Sequence, residues 1–131
     1  MNPNIVYSFF FNEAMSYVSE KENINYVRLY VLVKTKWLMV VTNSTNGISP
    51  ARLHHLILTM NKTLFESKRY LNKKAVVNNC SLLARCGYLE IMTESKINLY
   101  KLTEKGDKLV SKVNEAVNEM VNTFIDNYDG D

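Results

Sequence analysis

The sequence predicts a mainly α-helical (α+β) chain in which one short hairpin interrupts a series of helices. Three observations carry this expectation. The stretch Leu82 to Val110 reads LLARCGYLEIMTESKINLYKLTEKGDKLV: the end of an amphipathic helix, a glycine stop, two short apolar runs and a newly capped helix. Upstream of it, apolar residues recur at helical spacing between polar turns. Downstream, Val110, Val113, Val117, Met120 and Phe124 step by three and four along a last helix.

Taken in order, Asn2 and Pro3 suit the N-cap and first position of a helix running to about Glu20, with Ile5, Val6, Phe9, Phe10 and Val18 as its apolar set. Asn23 is expected to cap a second helix, Ile24 to Val41. NSTNGISP reads as a loop whose Ser49 and Pro50 open a third helix through about Met60. A shorter helical segment, Thr63 to Tyr70, precedes a helix from Lys73 to Cys86, and one continuous helix from Thr63 to Cys86 stands as the alternative. Gly87 supplies the left-handed residue that releases that helix. Tyr88, Leu89 and Ile91 then suit a strand, Thr93 to Lys96 a polar four-residue tip, and Ile97 to Leu102 a second strand with Tyr100 and Leu102 on one face. Thr103 can cap the last helix, and Glu104 complements its dipole. Helix, hairpin, helix is the order of a winged helix-turn-helix.

At 131 residues, 47% hydrophobic and 22% charged, the chain has the material for one domain with a real core. Residues 1–131 read as a single winged-helix domain: N-terminal helices over 1–43, helix-turn-helix and wing over 49–103, and a C-terminal dimerisation helix over 104–126. The net charge of +3 is unevenly spread. Ala51 to Lys101 holds nine Lys/Arg against three Asp/Glu, whereas the flanks hold seven against ten. No basic, apolar leader opens the chain, which favours a cytoplasmic protein. Ile24 to Val41 is its most apolar segment, but Arg28, Lys34 and Lys36 would each cost about 2.5–3.5 kcal/mol near a bilayer centre. A core helix is expected there.

Within Lys73 to Cys86, about 100° per residue places Val76, Cys80 and Leu83 in one narrow arc. Lys74, Asn78, Ser81 and Arg85 fall on the opposite side. That free face carries a cation, an amide able to pair with adenine, a hydroxyl and a guanidinium, a set suited to a major groove. Lys68, Arg69, Lys73, Lys96 and Lys101 are the expected phosphate contacts. Other chemistry finds no support. Cys80 and Cys86 point in different directions, His54 and His55 diverge on a helix, and the glycines are isolated. Neither a metal site, a cofactor nor an enzyme is expected.

The helix-ending LLARCGYLE and the post-wing YKLTEKGDKLV resemble those of MarR-type winged helix-turn-helix proteins, from about Arg52 to Val110. Leu83, Gly87, Tyr88, Leu89, Leu102, Thr103 and Gly106 fill the positions of that pattern, although PadR-like and other winged-helix regulators share the LT-x-x-G step. The wing here, ESKINLY, lacks the Asp-x-Arg motif that in many MarR-like proteins places an arginine in the minor groove. Helix Ile24 to Val41 stands as an addition ahead of the motif.

The resemblance implies a sequence-specific regulator of transcription that binds double-stranded DNA as a homodimer through its terminal helices. The three-four spacing also predicts a seam against a partner's N-terminal helix, formed by Ile5, Phe9, Val110, Val113, Val117, Met120 and Phe124. Two other readings stay open. A winged helix can serve as a protein-interaction or scaffold module of a replication or conjugation assembly without a specific operator. A small-molecule effector is a further candidate partner, with Tyr26, Tyr30, Trp37 and Phe65 as pocket-lining aromatics.

Overall fold

In the computed structural model the described backbone covers residues 3–64 and 71–129, with side chains for 7–59 and 71–127. Five helices and one hairpin follow in the order α1 (Pro3–Lys21), α2 (Tyr26–Thr42), α3 (Pro50–Leu64), α4 (Lys73–Arg85), β1 (Leu89–Glu94), β2 (Ile97–Leu102) and α5 (Glu104–Asp129). The terminal helices α1 and α5 pack on each other and on α2, while α4 packs across α2 and α3. One core joins these layers. Phe11, Ala14 and Met15 of α1 meet Leu29 to Val33 of α2, Leu53 and Ile57 of α3, Val76, Cys80 and Leu83 of α4, and Leu109, Val110 and Val113 of α5.

The helix boundaries follow local chemistry, with two departures from expectation. Asn23 does not cap α2: it adopts a left-handed φ of 52° and closes α1, while Ile24 N–H donates to the Ser19 carbonyl at 3.0 Å. Asn25 caps α2 instead, its side-chain oxygen accepting from Arg28 N–H at 3.2 Å. Secondly, α3 opens as expected, with Arg52 N–H donating to Ser49 Oγ at 3.3 Å, but runs through Leu64, so Thr63 and Leu64 belong to it. Residues 65–70 of the expected short helix lie outside the described residues. The helix from Lys73 forms as expected: Asn72 is extended (φ −79°, ψ 168°) and caps α4 by accepting from Ala75 N–H at 2.8 Å. A continuous helix from Thr63 to Cys86 is therefore excluded, because an extended residue interrupts the helical ladder.

In α2, Leu29 to Thr35 and Leu38 are buried, as a core helix requires. Its Lys34 is 2% exposed, with Nζ 4.7 Å from the Phe11 ring centroid and 5.5 Å from that of Tyr30. Among the described residues no helix is long and apolar enough to cross a membrane.

Candidate nucleic-acid interface

Helix α4 is held by both ends. After its Asn72 cap, its C-terminus closes in a Schellman arrangement, with Gly87 N–H donating to the Ala84 carbonyl at 3.1 Å and Tyr88 N–H to the Leu83 carbonyl at 2.9 Å. Gly87 takes φ +83°, the conformation for which glycine is suited. Thr103 Oγ1 donates to the Gly87 carbonyl at 2.5 Å and accepts from Gly106 N–H at 3.2 Å. One hydroxyl thus ties the end of α4 to the start of α5. Gly106 is required at that joint, since a Cβ there would run into the Tyr88 carbonyl oxygen.

The buried side of α4 is Val76, Cys80 and Leu83, and burial pushes the Cys80 thiol up to about 12. On the outer side Lys74, Asn78 and Arg85 are exposed and Ser81 is half-buried. Lys73 is exposed at the first turn. The sequence KKAVVNNCSLLAR contains no carboxylate, and none offsets the positive end of the helix dipole in the first turn. Two lysines added to that end raise a positive potential suited to a polyanion. The other two amides are engaged: Asn72 caps the helix, and Asn79 Nδ2 donates to the Ala75 carbonyl at 2.8 Å.

The hairpin differs from its expected form and charge. Its tip is the two residues Ser95 and Lys96, with φ of 50° and 68°, and Thr93 pairs with Asn98 within the strands. Leu89, Leu102 and Tyr100 turn toward the core side. Tyr100 also exchanges backbone hydrogen bonds with Ile48 at 2.8 and 2.9 Å, so Ile48 flanks the wing as an isolated bridge. Gly47 makes room for this approach, since a Cβ there would fall 2.9 Å from the Tyr100 carbonyl oxygen. Lys101 is paired across the strands with Glu90 at 3.2 Å. Ile91, Met92 and Ile97 are exposed large apolar side chains. Lys96 is exposed at the tip, whereas Lys68 and Arg69 lie outside the described residues.

The terminal helices redistribute the expected seam. Val110 and Val113 are buried inside the chain at 4% and 0% exposure, so they belong to its own core and cannot face a second copy. The physical reason is that α5 lays its first turns on α1 and α2 of the same chain. Val117 and Met120 are half-buried, while Phe9 and Phe124 are exposed. Phe124 stands edge-on to Phe10 with ring centroids 5.5 Å apart. Beside this pair lies an open cavity of about 440 Å³ lined by Phe10, Tyr17, Ala116, Met120 and Phe124 among others. The Ile5 side chain lies outside the described residues.

Of the four aromatic residues expected to line a pocket, the three described are spread between core and surface. Tyr30 is buried in the core, Tyr26 is half-buried with its hydroxyl donating to Asn12 Oδ1 at 2.9 Å, and Trp37 is exposed. Phe65 lies outside the described residues. Among the described residues, no group of three or more His, Cys, Asp or Glu side chains could hold a metal ion.

Helices, hairpin and capped terminal helix together define a winged helix-turn-helix of the MarR-like kind. Solved structures similar to it include transcriptional regulator Tm0710 from Thermotoga maritima, with a TM-score of 0.63 and 16% identity, and wild-type MarR from E. coli in its apo form, at 0.65 and 13%. The matches cover 91% and 94% of this chain, and 72% and 79% of theirs. With E. coli MarR the uncovered 6% of 131 residues is about eight, fewer than the 17 of α2, so α2 is not wholly an addition to the fold. No protein-family model matches the sequence, and no curated protein does.

Proposed function

We propose that the protein is a transcriptional regulator that binds double-stranded DNA as a cytoplasmic homodimer, with α4 of each protomer in a major groove. The observation that supports this reading most is the outer face of α4. Lys74, Asn78, Ser81 and Arg85 form one stripe, Lys73 flanks it, and the helix holds no carboxylate. At about 1.5 Å per residue, Lys74 and Arg85 stand about 16 Å apart along the axis. This length suits a helix lying in a groove about 12 Å wide, its N-terminal residues on base edges and its far end at the backbone. In this reading Lys73, with Lys68 and Arg69, holds phosphates. Two-fold symmetry gives a palindromic site with half-sites about 34–36 Å apart.

A fluorescence-anisotropy titration of labelled duplex pools at increasing salt tests the reading. The expected result is a steep linear fall of log affinity with log salt. Absence of binding at low salt would remove it.

The scaffold reading draws on a different feature, the exposed Ile91, Met92 and Ile97 of a wing that also carries Glu90 and Glu94. Capture of a protein partner by a chain that binds no duplex would establish it instead.

A further inference from the structure

The wing and α4 divide unequally as surfaces for DNA. Lys101, one of the wing's two lysines, is paired with Glu90 at 3.2 Å. The strands and tip, residues 89–102, carry Glu90 and Glu94 against Lys96 and Lys101, for no net charge. On one face of the hairpin stand Glu90, Met92 and Glu94 with Ile97, Leu99 and Lys101, two carboxylates against one ammonium, while Lys96 is at the tip.

The polar groups of α4 divide as sharply. A side-chain amide reads adenine by offering a donor and an acceptor together to the N7 and N6 edge. The Asn72 oxygen accepts from the Ala75 N–H and one N–H of the Asn79 amide donates to the Ala75 carbonyl, so both side chains are held against the α4 backbone. Asn78 is exposed, and no hydrogen bond engages its side chain among the described residues. It lies one turn beyond Lys74, in the N-terminal half of the helix, where base edges are reached. Arg85, the last residue of α4, lies about 10 Å further along, nearer the flanking backbone than the bases.

We infer that sequence discrimination rests on Asn78 reading an adenine of an A·T pair in each half-site, while the wing adds nothing to DNA affinity. The inference rests on the DNA-binding reading above and narrows it to one residue and one base.

Selection of binding sites from a random duplex pool, followed by anisotropy titrations on the selected site, tests it. The wild-type chain is expected to select adenine at a fixed position in each half-site. Asn78→Ala should lower affinity for that site by about 5- to 150-fold and abolish the preference there alone. Asn79→Ala should leave the selected sequence unchanged, and circular dichroism checks that both variants fold. Lys96→Ala should leave the salt slope unaltered, whereas a phosphate contact would lower it by about one. An unchanged selection with Asn78→Ala, loss of preference with Asn79→Ala, or a reduced slope with Lys96→Ala would overturn the inference while leaving DNA binding intact. A pool from which nothing is retained at low salt would overturn both.

Discussion

Gly87 and Gly106 sit at the same joint and are needed for different reasons. Gly87 requires a positive φ, and a Cβ there would meet only Lys105 Cδ at 3.8 Å. Gly87→Ala therefore carries the cost of a left-handed L-residue, about 1–2 kcal/mol. Gly106 has no unusual φ but is pressed against the Tyr88 carbonyl, so Gly106→Ala must move backbone and should destabilise by about 1–3 kcal/mol or more. Urea denaturation of both variants gives the comparison, and equal stability to the parent chain would contradict the joint. The two cysteines differ as clearly. Cys80 is buried and Cys86 exposed, so a disulfide-exchange reagent at pH 8 should modify one thiol per native chain and two in denaturant. Because burial raises the Cys80 thiol from 9.0 to about 12, the unfolded chain loses that proton first. Its contribution to stability is full below pH 9 and declines as pH rises toward 12.

At the scale of elements, the wing tip is the part most open to improvement. A two-residue turn with both residues at positive φ favours Asn-Gly, and here Ser95 and Lys96 occupy it. Replacing them by Asn and Gly should stabilise the chain by about 1 kcal/mol, read as a rise in thermal midpoint. The same variant should bind DNA as the parent does, since the wing is not expected to hold phosphate. The order of elements was legible because its signals are local: Ser49 with Pro50, Cys86 with Gly87, and Thr103 with Glu104 mark ends within one turn. The choice between Asn23 and Asn25 was not legible, since both can cap and the packing of Ile24 decides which one turns the chain. The Ile48 bridge to Tyr100 was equally hidden, because a single residue in a loop has no periodicity.

For the whole molecule, the terminal helices decide both closure of the core and access to a second copy. Lys112 of α5 reaches Glu22 at 2.7 Å, Lys36 of α2 reaches Asp107 at 2.8 Å, and Val113, next to Lys112 in the chain, is fully buried. What α5 leaves exposed is its second half, with Phe124 beside the open cavity against α1 and Ile125 exposed next to it in the chain. If this face forms the dimer, Phe124→Glu should leave a folded monomer by sedimentation and weaken binding to a two-half-site duplex far more than to a single half-site. A dimer unaffected by this change would place the interface elsewhere.

The sequence by itself determined the winged helix-turn-helix, the stripe on α4 and the Gly87 stop that ends it, because each follows from spacing and local hydrogen bonding along a few residues. Tertiary structure alone decided that Val110 and Val113 are core, that Lys101 pairs with Glu90, and that Asn79 bonds back to the helix while Asn78 does not. Helical spacing says that a face is apolar but not whose helix covers it. Charge composition counts lysines but not the carboxylates folded against them.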